Sequence, residues 1–193
     1  AVQELIANEK YHYIEPHHNK QILSGLWEIG QAVQRHQVME IKYERLKEPK
    51  VVTRRVQPVG VMFSEYYFYL TAFLEDKASF DNPDDLFPTI YRIDRICSFK
   101  VLDEHFRVPY RDRFEEGEFR KRVQFMYGGK LERIRFRYNG PSLEAVLDRL
   151  PTADVVKADG DGWSIEAEVF GKGIEMWLNS QGSWISDISI VEL

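Results

Sequence analysis

A single cysteine, Cys97, stands in the whole chain, so no internal disulfide can form and a secreted, disulfide-stapled scaffold is excluded. Long apolar runs are missing too. The longest, around residues 66–74, falls far short of the roughly 20 residues that cross a bilayer, and no signal-peptide pattern is visible. These absences predict a soluble, cytoplasmic protein without a membrane partner. A basic surplus is also lacking, since 26 Lys and Arg against 31 Asp and Glu leave a net charge of −5. That excludes a general duplex-coating protein, although a local basic groove stays open. Position 1 is Ala rather than Met and the chain runs straight into a helix-like stretch, which predicts a piece of a longer polypeptide.

Catalytic signatures are absent as well. No G-x-S-x-G elbow marks a nucleophilic serine. Lys172, in Gly171-Lys172-Gly173, has neither the earlier Gly nor the following Ser or Thr of a phosphate-binding loop. Asp159-Gly160-Asp161-Gly162 lacks the Gly and Glu that a calcium loop needs at its sixth and twelfth places. His12, His17 and His18 have no Cys or second His pair at zinc spacing, and His17-His18 follows Pro16 at a helix start, where exposed polar residues are ordinary. No carboxylate pair is singled out for acid–base work. The reading is of a protein that is not an enzyme, with no cofactor and no metal. Cys97, within the strand-like Arg95-Ile96-Cys97-Ser98-Phe99, reads as a buried structural thiol rather than a nucleophile.

What is present is ample core. With 44% hydrophobic and 13% aromatic residues, 193 residues suffice for one large domain or two small ones. Residues 19–36 set Ile22, Leu26, Ile29 and Val33 on one helical stripe. The period then changes. Residues 38–44 alternate, with Met39, Ile41 and Tyr43 on one side and Glu40, Lys42 and Glu44 on the other, which predicts a half-buried strand. After the turn Lys47-Glu48-Pro49-Lys50 come a strand over 51–58, extended by 59–63, and an aromatic-rich strand over 66–74. Residues 76–88 read as a loop, and strands return at 89–92 and 96–102. Short strands so closely spaced predict a small, strongly curved antiparallel barrel.

The charged stretch 111–126 predicts a helix, weakened by Gly117 and ended at Tyr127-Gly128-Gly129, the expected domain boundary. Beyond it, residues 131–138 alternate as a strand. Ser142 caps a helix bearing Leu143, Val146, Leu147 and Leu150 on one face, and Pro151 stops it. Strands 154–158 and 163–170 flank Asp159-Gly160-Asp161-Gly162, a hairpin signal. A helix over 172–181 turns Ile174, Trp177 and Leu178 inward, and 184–193 is the last strand. Strand, helix, strand, strand, helix, strand predicts a ferredoxin-like βαββαβ unit, and an α+β fold class for the chain. Arg133, Arg135 and Arg137 share one strand face and could form a nucleic-acid track. Pairing with Glu166 and Glu168 on the neighbouring central strand is the simpler account.

Four motifs in order give the chain a family resemblance. They are Ile41-Lys42-Tyr43, then Arg55-Val56-Gln57-Pro58, then Phe68-Tyr69-Leu70, then Tyr91-Arg92-Ile93-Asp94-Arg95-Ile96. Residues 39–106 so resemble the WYL domain of bacterial transcription regulators, named for a Trp-Tyr-Leu strand in which Phe68 here replaces Trp. Residues 131–193 resemble the C-terminal extension that often follows that domain. The resemblance implies a helical linker over 1–37, an Sm-like (SH3-type) β-barrel over 38–108, a connecting helix over 109–130 and a ferredoxin-like extension over 131–193. The winged helix-turn-helix that normally precedes the barrel does not fit in 1–37, so duplex DNA is expected to be a partner only through that absent part.

The family further implies a homodimer, and a patch that senses a negatively charged effector, either a nucleotide or a single-stranded nucleic acid. Tyr69, Arg92, Arg95, Arg55 and Tyr43 are the expected ligand-binding residues. Guanidinium forks match phosphate or carboxylate in a bidentate way, and a Tyr offers a flat face for a base. Plain core packing would also account for Tyr69 and Tyr43, and a salt bridge to Asp94 for Arg92. Arg92 and Arg95 are an odd distance apart, so both face one ligand only if the chain bends near Asp94. The alternative function is a constitutive nucleic-acid-binding or scaffolding module with no sensing role.

Overall fold

The structure, a computed structural model, describes residues 23–45, 50–64, 66–76, 87–107 and 115–192. The stripe predicted for the first helix is the buried face of α1 (Leu23–Arg35), with Ile29 and Ala32 buried and Leu26 and Val33 packed against the same core. Ile22 lies outside the described residues. His36, at φ 51°, ends the helix in the left-handed region and turns the chain into the first strand.

Five strands follow: β1 (Gln37–Glu44), β2 (Val51–Ser64), β3 (Tyr67–Leu74), β4 (Thr89–Arg92) and β5 (Ile96–His105). They form one antiparallel sheet in the order β4-β3-β2-β1-β5. α1 lies over β2, β1 and β5, and its Ile29 meets Ile41, Val56, Leu70 and Ala72 in one core. β2 runs unbroken through Pro58. A proline is tolerated there because the register slips between Pro58 and Gly60, where the Thr71 hydroxyl donates to the Gly60 carbonyl at 3.0 Å.

Two expectations need correction here. Cys97 is exposed, not buried. The register of β5 against β1 shifts at this point, from Lys42↔Ser98 to Tyr43↔Ile96, so Cys97 is a bulged residue that leaves the alternation turning Phe99 and Val101 to the core. The helix expected over 111–126 is described only as α2 (Glu116–Arg122), and residues 108–114 lie outside the described set. It cannot continue to 126. Val123 forms a parallel bridge to Phe170, and Phe125 and Met126 sit at φ 51° and 54°, a conformation no right-handed helix accepts.

The C-terminal unit is β6 (Leu131–Tyr138), α3 (Leu143–Arg149), β7 (Asp154–Asp159), β8 (Gly162–Phe170), α4 (Gly173–Ser180) and β9 (Ile185–Glu192). Its antiparallel sheet has the order β7-β8-β6-β9, with β6 and β8 central. The Ser142 hydroxyl accepts from the Ala145 N–H at 3.2 Å and caps α3. Gly162 is required at its position, since a Cβ there would lie 2.5 Å from the Tyr138 carbonyl oxygen and φ is 155°. A second core gathers Ile134, Phe136, Tyr138, Ile165, Trp177 and Leu178, and shares no residue with the first.

The arginine row of β6 is neutralised where it stands. Arg133 pairs with Glu166 at 3.5 Å and Glu168 at 3.4 Å, Arg135 pairs with Glu166, and Arg137 pairs with Asp159. Cross-strand register places Glu168 opposite Arg133 and Glu166 opposite Arg135, while Asp159 reaches Arg137 from β7, so this face is no free cationic track. The hydrogen bond from Arg137 holds the Asp159 carboxyl below the usual carboxylate range. The described residues thus form a mixed α/β structure of two antiparallel sheets and four helices. Among them no helix is long and apolar enough to cross a membrane.

Candidate functional site

A cleft of about 680 Å³ opens where the first sheet meets the segment that follows α2. Alternation along β1 and just past its end puts Tyr43 and Arg45 on its rim, two residues apart. β3 contributes Tyr69 and β4 contributes Arg92, which are register partners on neighbouring strands. β4 and β5 are joined by a 3-10 turn, Ile93–Arg95, that buries Ile93 and Asp94. This turn is the bend that breaks strict alternation, and Arg92 and Arg95 both line the cleft. Phe87, Pro88, Thr89 and Ile90 extend the lining on the same side, and Phe125, Met126, Tyr127 and Gly128 supply the rest.

Arg92 is held from three directions. Its Nε and Nη2 donate to the two Asp94 carboxylate oxygens at 3.1 and 2.7 Å, and its Cζ lies 3.5 Å from the Tyr67 ring centroid. Its backbone N–H donates to the Tyr43 hydroxyl at 3.4 Å. Burial works against the guanidinium charge, but the hydrogen bond and charge of Asp94 more than offset it, so its pKa lies above the ordinary value. Two of the five N–H donors are thereby engaged, and the others stay available to an anion. The ion pair weighed for Arg92 therefore exists and aims the fork rather than consuming it. Tyr43 packs edge-to-face on Tyr91 at 5.0 Å, so it serves core and rim at once. Burial pushes the Tyr91 hydroxyl up to about 12.

The charge balance of the lining decides what it can take. Among the described residues, three arginines and five aromatic residues line the cleft and no carboxylate does. Among the described residues no ion pair involves Arg45 or Arg95. An overall acidic chain so carries a cationic, aromatic cleft, suited to a planar anion. Nothing in it pairs a nucleophile with a base. Among the described residues no group of three or more His, Cys, Asp or Glu could hold a metal ion, and His12, His17 and His18 lie outside them.

Of the five residues singled out in the sequence, the structure brings Tyr43, Tyr69, Arg92 and Arg95 together. It does not bring Arg55 to them. Arg55 is not among the residues that line the cleft, and it pairs with Glu75 at 2.8 Å and Glu104 at 2.6 Å. Sequence reasoning missed Arg45, Phe87, Phe125 and Tyr127. Arg45 was within reach, because it continues the Tyr43 side of the alternation. Phe125 and Tyr127 gave no such signal, since only the folded chain brings the segment after α2 against β3 and β4.

Residues 26–101 match the family model of the WYL domain. Among solved structures the chain is similar to proteasome accessory factor B/C (PafBC) of Arthrobacter aurescens, at 16% identity and a TM-score of 0.38, over 94% of this chain and 25% of that one. The chain thus spans a quarter of the length of that protein. A search of curated proteins finds no match. The matched residues take in most of α1, all of β1 to β4 and the start of β5, and with them every sequence-named residue of the cleft. That match places a WYL domain within residues 26–101 of the chain.

Proposed function

We propose that the chain is the effector-sensing and dimerisation part of a bacterial transcription regulator, and that its cleft binds a nucleotide or a single-stranded nucleic acid. The observation that carries this reading is the lining itself: Arg45, Arg92 and Arg95 among aromatic side chains, with no carboxylate among the described lining residues. Guanidinium groups supply phosphate binding and the rings supply stacking, the combination by which small β-folds hold single strands. We read the first sheet as an Sm-like barrel. The second, with its strands in the spatial order β7-β8-β6-β9, we read as a ferredoxin-like unit. In a longer regulator, occupancy of the cleft shifts the balance between arrangements of the attached domains.

Fluorescence anisotropy with short single-stranded DNA, single-stranded RNA and cyclic nucleotides tests the site. Arg95→Ala is expected to weaken binding at least tenfold, the size of a lost charge-assisted hydrogen bond of about 1.5–3 kcal/mol, and Arg92→Ala at least as much. Added salt is expected to weaken wild-type binding through counterion release. Unchanged affinity in both correctly folded variants would sink the assignment.

The dimerisation half of the reading has its support at β9. This strand leaves Ile188 and Ile190 exposed, apolar residues beside an edge that no other described strand pairs and that a symmetry mate can cover. Light scattering at micromolar concentration is expected to return twice the 22.8 kDa mass of the chain. A monomer mass counts against it.

A further inference from the structure

A second cleft, of about 320 Å³, adjoins the first and shares Tyr69, Phe125 and Met126 with it. The partition between the two is therefore the turn that carries Phe125 and Met126. Both residues have φ near +50°, a left-handed conformation that L side chains other than Asn and Asp rarely adopt. Such outliers persist where surrounding structure over-determines them, and they gather at ligand clamps and switches.

The surroundings here do over-determine the turn. Val123 bridges to Phe170 of β8 on its N-terminal side. The buried Gln124 amide donates to the Arg149 carbonyl at 3.5 Å, and the Gln124 backbone packs so closely on Gly173 that a Cβ there would strike its carbonyl oxygen. The Arg149 guanidinium lies 5.0 Å from the Phe125 ring centroid and lines only the smaller cleft. Phe125 nonetheless stays 38% exposed. Core packing does not explain an exposed phenyl ring on a strained, firmly anchored backbone. The ring has a cation on the side of the smaller cleft and the arginine-lined larger cleft on the other.

We infer that Phe125 is a ligand-contact residue, a stacking wall that takes a planar nucleobase across the larger cleft from Tyr69 and Arg92 while phosphate goes to Arg95 and Arg45. This rests on the reading of the cleft as a nucleotide or single-strand site, and adds that base stacking comes from outside the first sheet. A ring with Arg149 on one face and a base on the other is favoured on both sides, by cation–π attraction and by stacking. The wall belongs to the segment tied to the C-terminal unit, so the site is complete only when that unit is docked.

The test compares a labelled oligothymidylate with an abasic oligonucleotide of the same length in anisotropy titrations of the whole chain. Phe125→Gly removes the ring and suits the positive φ, so it keeps the fold, as a thermal melt verifies. Phe125→Leu keeps apolar bulk but loses planarity, and Phe125→Trp keeps the plane. The Gly and Leu variants are expected to bind oligothymidylate about tenfold more weakly, the worth of one stacked base. They are expected to bind the abasic strand as the wild type does, and the Trp variant is expected to hold both. If Phe125→Gly and Phe125→Leu bind oligothymidylate like the wild type while Arg95→Ala does not, the cleft assignment stands and the stacking wall is wrong. If the wild type binds neither strand, both inferences fall.

Discussion

Asp94→Ala is expected to destabilise the protein by about 2–3 kcal/mol and to weaken ligand binding in the same variant. Asp94 is only 5% exposed, and its carboxylate grips Arg92 through two hydrogen bonds. Removing one partner of a buried pair costs about 3–5 kcal/mol because the other charge is left uncompensated. Arg92 keeps 21% of its side chain in contact with water, which relieves part of that cost and sets the lower figure. Without the carboxylate the guanidinium also loses its fixed orientation, so the cleft loses an aimed donor along with stability. Urea melts are expected to show a lower midpoint at unchanged slope. Asp94→Asn, which keeps shape and one acceptor, is expected to fall between. A variant as stable as the wild type would show that the pair is solvated and does not organise the turn.

The second large effect lies at alkaline pH. Tyr91 is buried against the first core and its pKa is raised from 10.0 to about 12, chiefly by burial. Between those values the unfolded chain has released the phenolic proton while the native protein still holds it. The native state then binds more protons, so stability falls as pH rises. The contribution is complete below pH 10.0 and is lost by about pH 12, a fall of roughly 3 kcal/mol at about 1.4 kcal/mol per unit. Tyr91→Phe has no such proton. Its stability is expected to decline distinctly less over that window, at the neutral-pH cost of about 1 kcal/mol for the lost hydroxyl hydrogen bond. Parallel curves for the two proteins from pH 10 to 12 would show that Tyr91 ionises in the native state no later than in the unfolded one.

Much of the architecture was legible because it repeats with the period of its elements. Ile29 and Val33 on α1, Met39 and Ile41 on β1, and Ile174, Trp177 and Leu178 on α4 all announced buried faces by spacing alone. The misreadings came where spacing was ambiguous. Cys97 in an apolar-looking strand is exposed because a register shift against β1 leaves it bulged out, a fact of strand pairing and not of local pattern. The charged run through residue 126 favours a helix until the contacts of Val123 and Gln124 with the C-terminal unit pull the chain out of it. Arg55 looked like an anion ligand, and Glu75 and Glu104, distant in sequence, take up its charge.

The sequence by itself determined the WYL motifs, the two units and four members of the cleft, because each of these is written in residue types at short spacing. The tertiary structure alone decided that the cleft has a second wall, that Arg45 joins the arginines while Arg55 does not, and that Arg92 is aimed by Asp94. Those facts depend on which strands are neighbours and on where a later segment docks. Both are set by packing between residues far apart in the chain, which no local pattern encodes.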